Sequence, residues 1–98
     1  MLFNSVKELE EVLVEEETTD GEHSQLVVYN DDVNTFQWVI QCFVEIVNHS
    51  QAQSEQLSLI IHYKGKAIVK TAPMNVLKPL KEGLTDRGLS AVIESMND

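Results

Sequence analysis

Four consecutive residues, Leu26, Val27, Val28 and Tyr29, narrow the folds open to this chain more than any other stretch. A β-branched and aromatic run of that length reads as a buried strand, and it stops abruptly at Asn30, Asp31 and Asp32. Helical spacing then takes over. Asn34 offers a capping side chain with Gln37 at the reciprocal third position, and Phe36, Val39, Ile40, Phe43, Val44 and Val47 follow on one face to about Asn48. Ser50 with Gln53 repeats the capping signal and opens a second helix, which Gly65 is placed to end. A loop this short makes the two helices a packed pair.

Residues 66–71 read as a second strand. Pro73 suits the first turn of a third helix carrying Val76, Leu77, Leu80 and Leu84, and Pro79 inside it is expected to kink or restart it. Residues 89–93 read as a third strand. The order β-α-α-β-α-β predicts an α+β fold, a small three-stranded antiparallel sheet packed against three helices.

With 98 residues, 43% of them hydrophobic, the chain suits one compact domain. Its net charge of -9 is unevenly placed. Residues 1–24 hold eight acids against Lys7 alone, whereas the remainder has eight acids against six bases. A capping-box pattern at Ser5 and Glu8, with Val6, Leu9, Val12 and Leu13 on one face, predicts a short helix there. The acidic stretch 15–22 then reads as a solvated linker. We therefore divide the chain into an acidic N-terminal extension, residues 1–23, and a core domain, residues 24–98.

Several functions are disfavoured on these grounds. Phosphate contacts need clustered Lys and Arg, so nucleic acid is not the expected partner. No apolar run is long enough to span a bilayer and the first residues do not resemble a signal peptide, which points to a cytoplasmic protein. The single cysteine, Cys42, reads as core, and it forms no recognisable metal pattern with His49 and His62. A calcium loop starting at Asp31 places Phe36 where glycine is needed and Cys42 where glutamate is needed. With no nucleophile elbow, phosphate-cradling loop or HExxH helix, no enzyme activity, metal or cofactor is expected. Taken alone, Asn30, Asp31 and Asp32 read best as a turn that stabilises a helix N-terminus.

A second motif gives that turn a different meaning. Asn30-Asp31-Asp32 with Phe36 and Val39, followed by Leu59-x-x-His62-x-x-Gly65-Lys66-Ala67, resembles the ClpS family of Clp-protease adaptors over residues 25–94. The resemblance implies an adaptor that binds N-degron substrates, proteins whose first residue is Leu, Phe, Tyr or Trp. It implies delivery of them to a AAA+ Clp unfoldase, of ClpA or ClpC type, with its peptidase. By that resemblance Asn30, Asp31, Asp32 and His62 receive the α-amino group and Asn34 bonds the first peptide unit. Phe36, Val39, Ser58, Ile61 and Leu89 line the side-chain pocket. Phe36 stands where most members have methionine, Ser58 where many have methionine or leucine, and Asn34 where threonine or serine is usual. The acidic extension is expected to engage the unfoldase. The alternative is a ClpS-fold modulator of the unfoldase that has lost or altered N-degron specificity.

Overall fold

The computed structural model describes residues 22–96. In chain order the elements are β1 (His23–Tyr29), α1 (Phe36–Cys42), α2 (Gln51–Lys64), β2 (Lys66–Pro73), α3 (Met74–Asp86) and β3 (Ser90–Ser95). The apolar run of 26–29 is the inner half of β1. This strand lies between the other two in the order β2-β1-β3, antiparallel to both. Central placement pairs both edges of β1, and Leu26, Val27 and Val28 are all buried, Leu26 and Val28 within the core cluster and Val27 on the opposite face of the sheet. Pairing shifts between Leu26, opposite Lys70, and Val27, opposite Ile68, so Val69 is the extra residue of a bulge in β2. The expected fold class is the one observed, three helices with a three-stranded antiparallel sheet.

The helices fill the core from one side. Phe43, Leu26, Leu77 and Leu84 are its largest fully buried side chains, and each contributes about 1.5–3 kcal/mol through removal from water. Cys42 is buried among them, and burial pushes its thiol up in spite of the Arg87 guanidinium nearby. Alternation places Tyr29, Val27, Ile68 and Val92 on the opposite face of the sheet. There the Tyr29 hydroxyl donates to Glu94, which pushes the phenol above its ordinary value, and the Lys66 ammonium lies 5.5 Å from the ring centroid.

Three local expectations need correction. The N-cap of α1 is Thr35, whose Oγ1 accepts from Trp38 N at 3.1 Å, and not Asn34. The Asn34 side chain is taken up elsewhere, which moves the helix start by one residue. Pro73 closes β2 and caps α3 without entering its first turn, and α3 runs continuously from Met74 to Asp86 through Pro79. The first helical segment reaches Val47 as a π-helical turn, Phe43–Val47, and Asn48 ends it in the left-handed region at φ 68°. The cap at Ser50 and the terminator at Gly65 are as expected: Gln53 N donates to Ser50 Oγ at 3.0 Å and Gly65 has φ 96°. The helix, linker and extension expected within residues 1–21 lie outside the described residues.

Candidate functional site

The polar corner is built by short bonds at the end of β1. Asn30 N donates to Gly65 O at 2.9 Å, and Gly65 N to Ile61 O at 2.9 Å. That pair of bonds fastens the Asn30-Asp31-Asp32 turn to the C-terminal end of α2, the turn of helix that carries His62. Gly65 meets this geometry at φ 96°, a left-handed conformation that costs glycine little and other residues more.

Within the corner Asp31 holds the turn together. Its Oδ1 accepts from the backbone N–H groups of Val33 and Asn34, each at 2.8 Å, and its Oδ2 accepts from Asn34 Nδ2 at 2.8 Å. Burial raises the Asp31 pKa, but these hydrogen bonds outweigh it and hold the carboxyl below its ordinary value. The second amide proton of Asn34 goes to Gly88 O at 2.8 Å. Asn30, Asp32 and His62 differ from Asp31: their side chains make no hydrogen bond among the described residues. All three are exposed, and the His62 ring stands edge-on to Tyr63 with centroids 4.7 Å apart.

The apolar residues named by resemblance occupy the neighbouring elements. Ile61 and Leu89 belong to one buried cluster, Val39 packs against it, and Ser58 is buried on the same helix as Ile61. Phe36 is the first residue of α1 and is 39% exposed, the most open of the five. Ser58, Ile61 and Leu89 retain only 3%, 4% and 5% exposure, so the apolar set is nearly closed.

Sequence reasoning missed the second fastening of this corner. Trp38 Nε1 donates to Arg87 O at 3.0 Å, and the Arg87 guanidinium lies 5.7 Å from the Trp38 ring centroid while pairing with Glu45. The pair holds the Glu45 carboxyl below its usual range. Together with Asn34 and Gly88, these contacts tie the start of α1 to the turn that precedes Leu89. A lone tryptophan and a glycine after Arg87 are visible in the sequence, but nothing local says that they meet.

Two clefts lie away from the corner. One, about 390 Å³, is lined by Met74, Lys78, Lys81, Glu82, Val92 and Ile93, and the other, about 250 Å³, by Gln37, Ile40, Gln41, Val44 and Gln51. Neither of these two includes a residue of the polar corner or of the apolar set. Unbonded polar groups fixed at one edge bear on recognition, whereas an open surface groove by itself does not. Among the described residues no group of three or more His, Cys, Asp or Glu side chains is placed to hold a metal ion, and no helix is long and apolar enough to cross a membrane.

The same arrangement of helices and strands is found in the structure of Agrobacterium tumefaciens ClpS2 bound to L-phenylalaninamide. It superposes with a TM-score of 0.73 at 18% identity, over 76% of this chain and 96% of that one. The two chains therefore share a small α+β fold. The family model for the ATP-dependent Clp protease adaptor protein ClpS matches residues 20–92, and this chain belongs to the ClpS family. Similar relatives include the ATP-dependent Clp protease adapter protein ClpS of Thermosynechococcus vestitus, 34% identical over 67 residues, covering 67% of this chain and 71% of that protein. The ClpS of Corynebacterium diphtheriae is 26% identical over 85 residues, covering 87% of this chain and 75% of its own. The family is one of adaptors to a protease and not of peptidases.

Proposed function

We propose that this chain binds proteins through a free α-amino group and a first residue Leu, Phe, Tyr or Trp, and hands them to a AAA+ Clp unfoldase of ClpA or ClpC type with its peptidase. The observation that carries this reading is the bond from Asn30 N to Gly65 O. It holds Asn30 and Asp32 at the same edge as His62, with their side chains unspent on the fold. An ammonium group has three donors and no acceptor, so it calls for acceptors. Asn30 Oδ1, a neutral His62 nitrogen and Asp32 supply one each, the last directly or through water, and Asp31 adds negative potential from within its turn.

Asn34 enters this reading in a restricted form. Both of its amide protons are committed to Asp31 and Gly88, so only Oδ1 is left to accept from a peptide N–H. Phe36, Val39, Ser58, Ile61 and Leu89 surround the first side chain. The likeness to a protein bound to L-phenylalaninamide supports the reading, since that molecule presents an amine, an aromatic side chain and an amide.

The energies are of the right size. Hydrogen bonds to a charged group contribute about 1.5–3 kcal/mol each, and burying a Leu or Phe side chain adds about 1.5–3 kcal/mol. Three such bonds and one side chain sum to about 6–12 kcal/mol, and association costs about 4 kcal/mol or more, so a micromolar affinity, about -8 kcal/mol, is the tightest these contacts support. Fluorescence anisotropy with peptides beginning Phe, Leu, Tyr, Trp, Val or Ala tests the proposal, with acetylated Phe as control. Bulky apolar first residues with a free amine bind and the acetylated peptide does not. Equal binding of the free and acetylated peptides removes the amine from the mechanism.

A further inference from the structure

One group in the apolar wall is left unused by this account. Ser58 is 3% exposed, and its hydroxyl has no hydrogen-bond partner among the described residues. Serine inside a helix commonly turns its O–H back onto the carbonyl one turn earlier, which Ser58 does not do. Its capacity both to donate and to accept therefore remains open, at a position where related chains are read as placing an apolar side chain.

Position along α2 says what can reach that hydroxyl. Ser58 precedes His62 by four residues, about 6 Å along the helix axis, and Ile61 lies between them on the buried side. A first residue whose amine is held at the level of His62 extends its side chain down the wall toward Ser58. The distance from the α-carbon of tyrosine to its phenol oxygen is comparable to that rise. Ser54 is also buried and also unpartnered, but it lies about 12 Å from His62 along the axis, beyond the reach of a single side chain.

Resting on the amine-binding reading above, we infer that Ser58 determines specificity within the pocket and that the preferred first residue is tyrosine. A phenol both donates and accepts, which matches a serine hydroxyl in either direction, whereas phenylalanine and leucine leave the hydroxyl unpaired. In a wholly apolar pocket the order reverses, because tyrosine then loses the hydration of its own hydroxyl without replacement. A site that bonds a substrate hydroxyl discriminates against the analogue lacking it, since the protein group is then stranded.

The test compares two free-amine peptides that differ only in a first residue of Tyr or Phe, titrated against the full chain and its Ser58→Ala and Ser54→Ala variants. The wild-type protein binds the Tyr peptide about fivefold more tightly, the worth of one neutral hydrogen bond. Ser58→Ala abolishes or inverts that ratio and Ser54→Ala preserves it. Each variant removes an unpartnered buried hydroxyl, so each melts at or above the wild-type temperature, which verifies folding. A ratio unchanged by Ser58→Ala, or equal binding of both peptides to the wild type, overturns the inference and leaves the amine-binding reading standing. Absence of binding by both peptides overturns the two together.

Discussion

The side-chain amide of Asn34 donates to the carbonyl of Gly88 at 2.8 Å, joining the loop before α1 to the turn before β3 across 54 residues of chain. The same nitrogen gives its other proton to Asp31 at 2.8 Å. Two acceptors thus fix which way the amide points, and the bonds join the Asp31 corner to the turn leading to Leu89.

Replacing the amide by a carboxylate reverses this arrangement. Asn34→Asp sets an acceptor against Asp31 and against the Gly88 carbonyl, so two donated bonds become two repulsive contacts. We expect a loss of about 2 kcal/mol, read as a lower urea midpoint with the slope unchanged. A Ser at the same position, which retains one donor, loses less.

Acid acts on the corner through Asp31. Its carboxyl is held below the ordinary value of 3.8 in the folded chain, so the ionised form favours folding. That contribution is complete above pH 3.8 and is lost as pH falls through the lower folded value. Circular dichroism melts should show the stability gap between wild type and Asp31→Asn closing below that pH and constant above it.

The Trp38 indole is a second strut. Trp38→Phe keeps most of the apolar area but removes the bond to Arg87 O, at a cost of about 1 kcal/mol. The chain has one tryptophan, so the variant is followed by far-ultraviolet circular dichroism and not by fluorescence.

Proposed binding residues and scaffold residues are separable by measurement. His62 is exposed and its recorded contact is the edge of Tyr63, so His62→Ala leaves the melting temperature nearly unchanged. The affinity for a Phe-initiated peptide falls by about tenfold or more, the worth of a bond to a charged group. Asn30→Ala behaves alike, since its backbone bond to Gly65 survives the substitution.

Delivery is tested by removing residues 1–22. Because β1 begins at His23, the cut leaves the sheet whole. Peptide affinity is expected to stay constant while degradation of a Phe-initiated reporter by the unfoldase and its peptidase slows. A reporter degraded at the full rate by the shortened chain removes the acidic extension from delivery.

Much of the fold is legible in short stretches of sequence because its signals are local. Ser50 caps and Gly65 terminates α2 for reasons contained within a few residues, and the 26–29 run reads as a strand from its side chains alone. Thr35 was obscured by Asn34, since both have capping side chains and only the distant Gly88 carbonyl decides which one is free to cap. Pro73 shows the same limit, because pairing with His23 extends β2 to include it.

The sequence by itself determined the order of elements, both ends of α2 and the presence of an amide and two acids after the first strand. Tertiary structure decided what those residues do. Among the described residues it spent Asp31 on the turn, turned Asn34 toward Gly88, left the side chains of Asn30, Asp32 and His62 without hydrogen bonds, and buried Ser58 without a partner. The physical reason is range: capping and turn formation are settled within about one helical turn, whereas whether a polar group is satisfied depends on which distant backbone oxygen the fold brings to it.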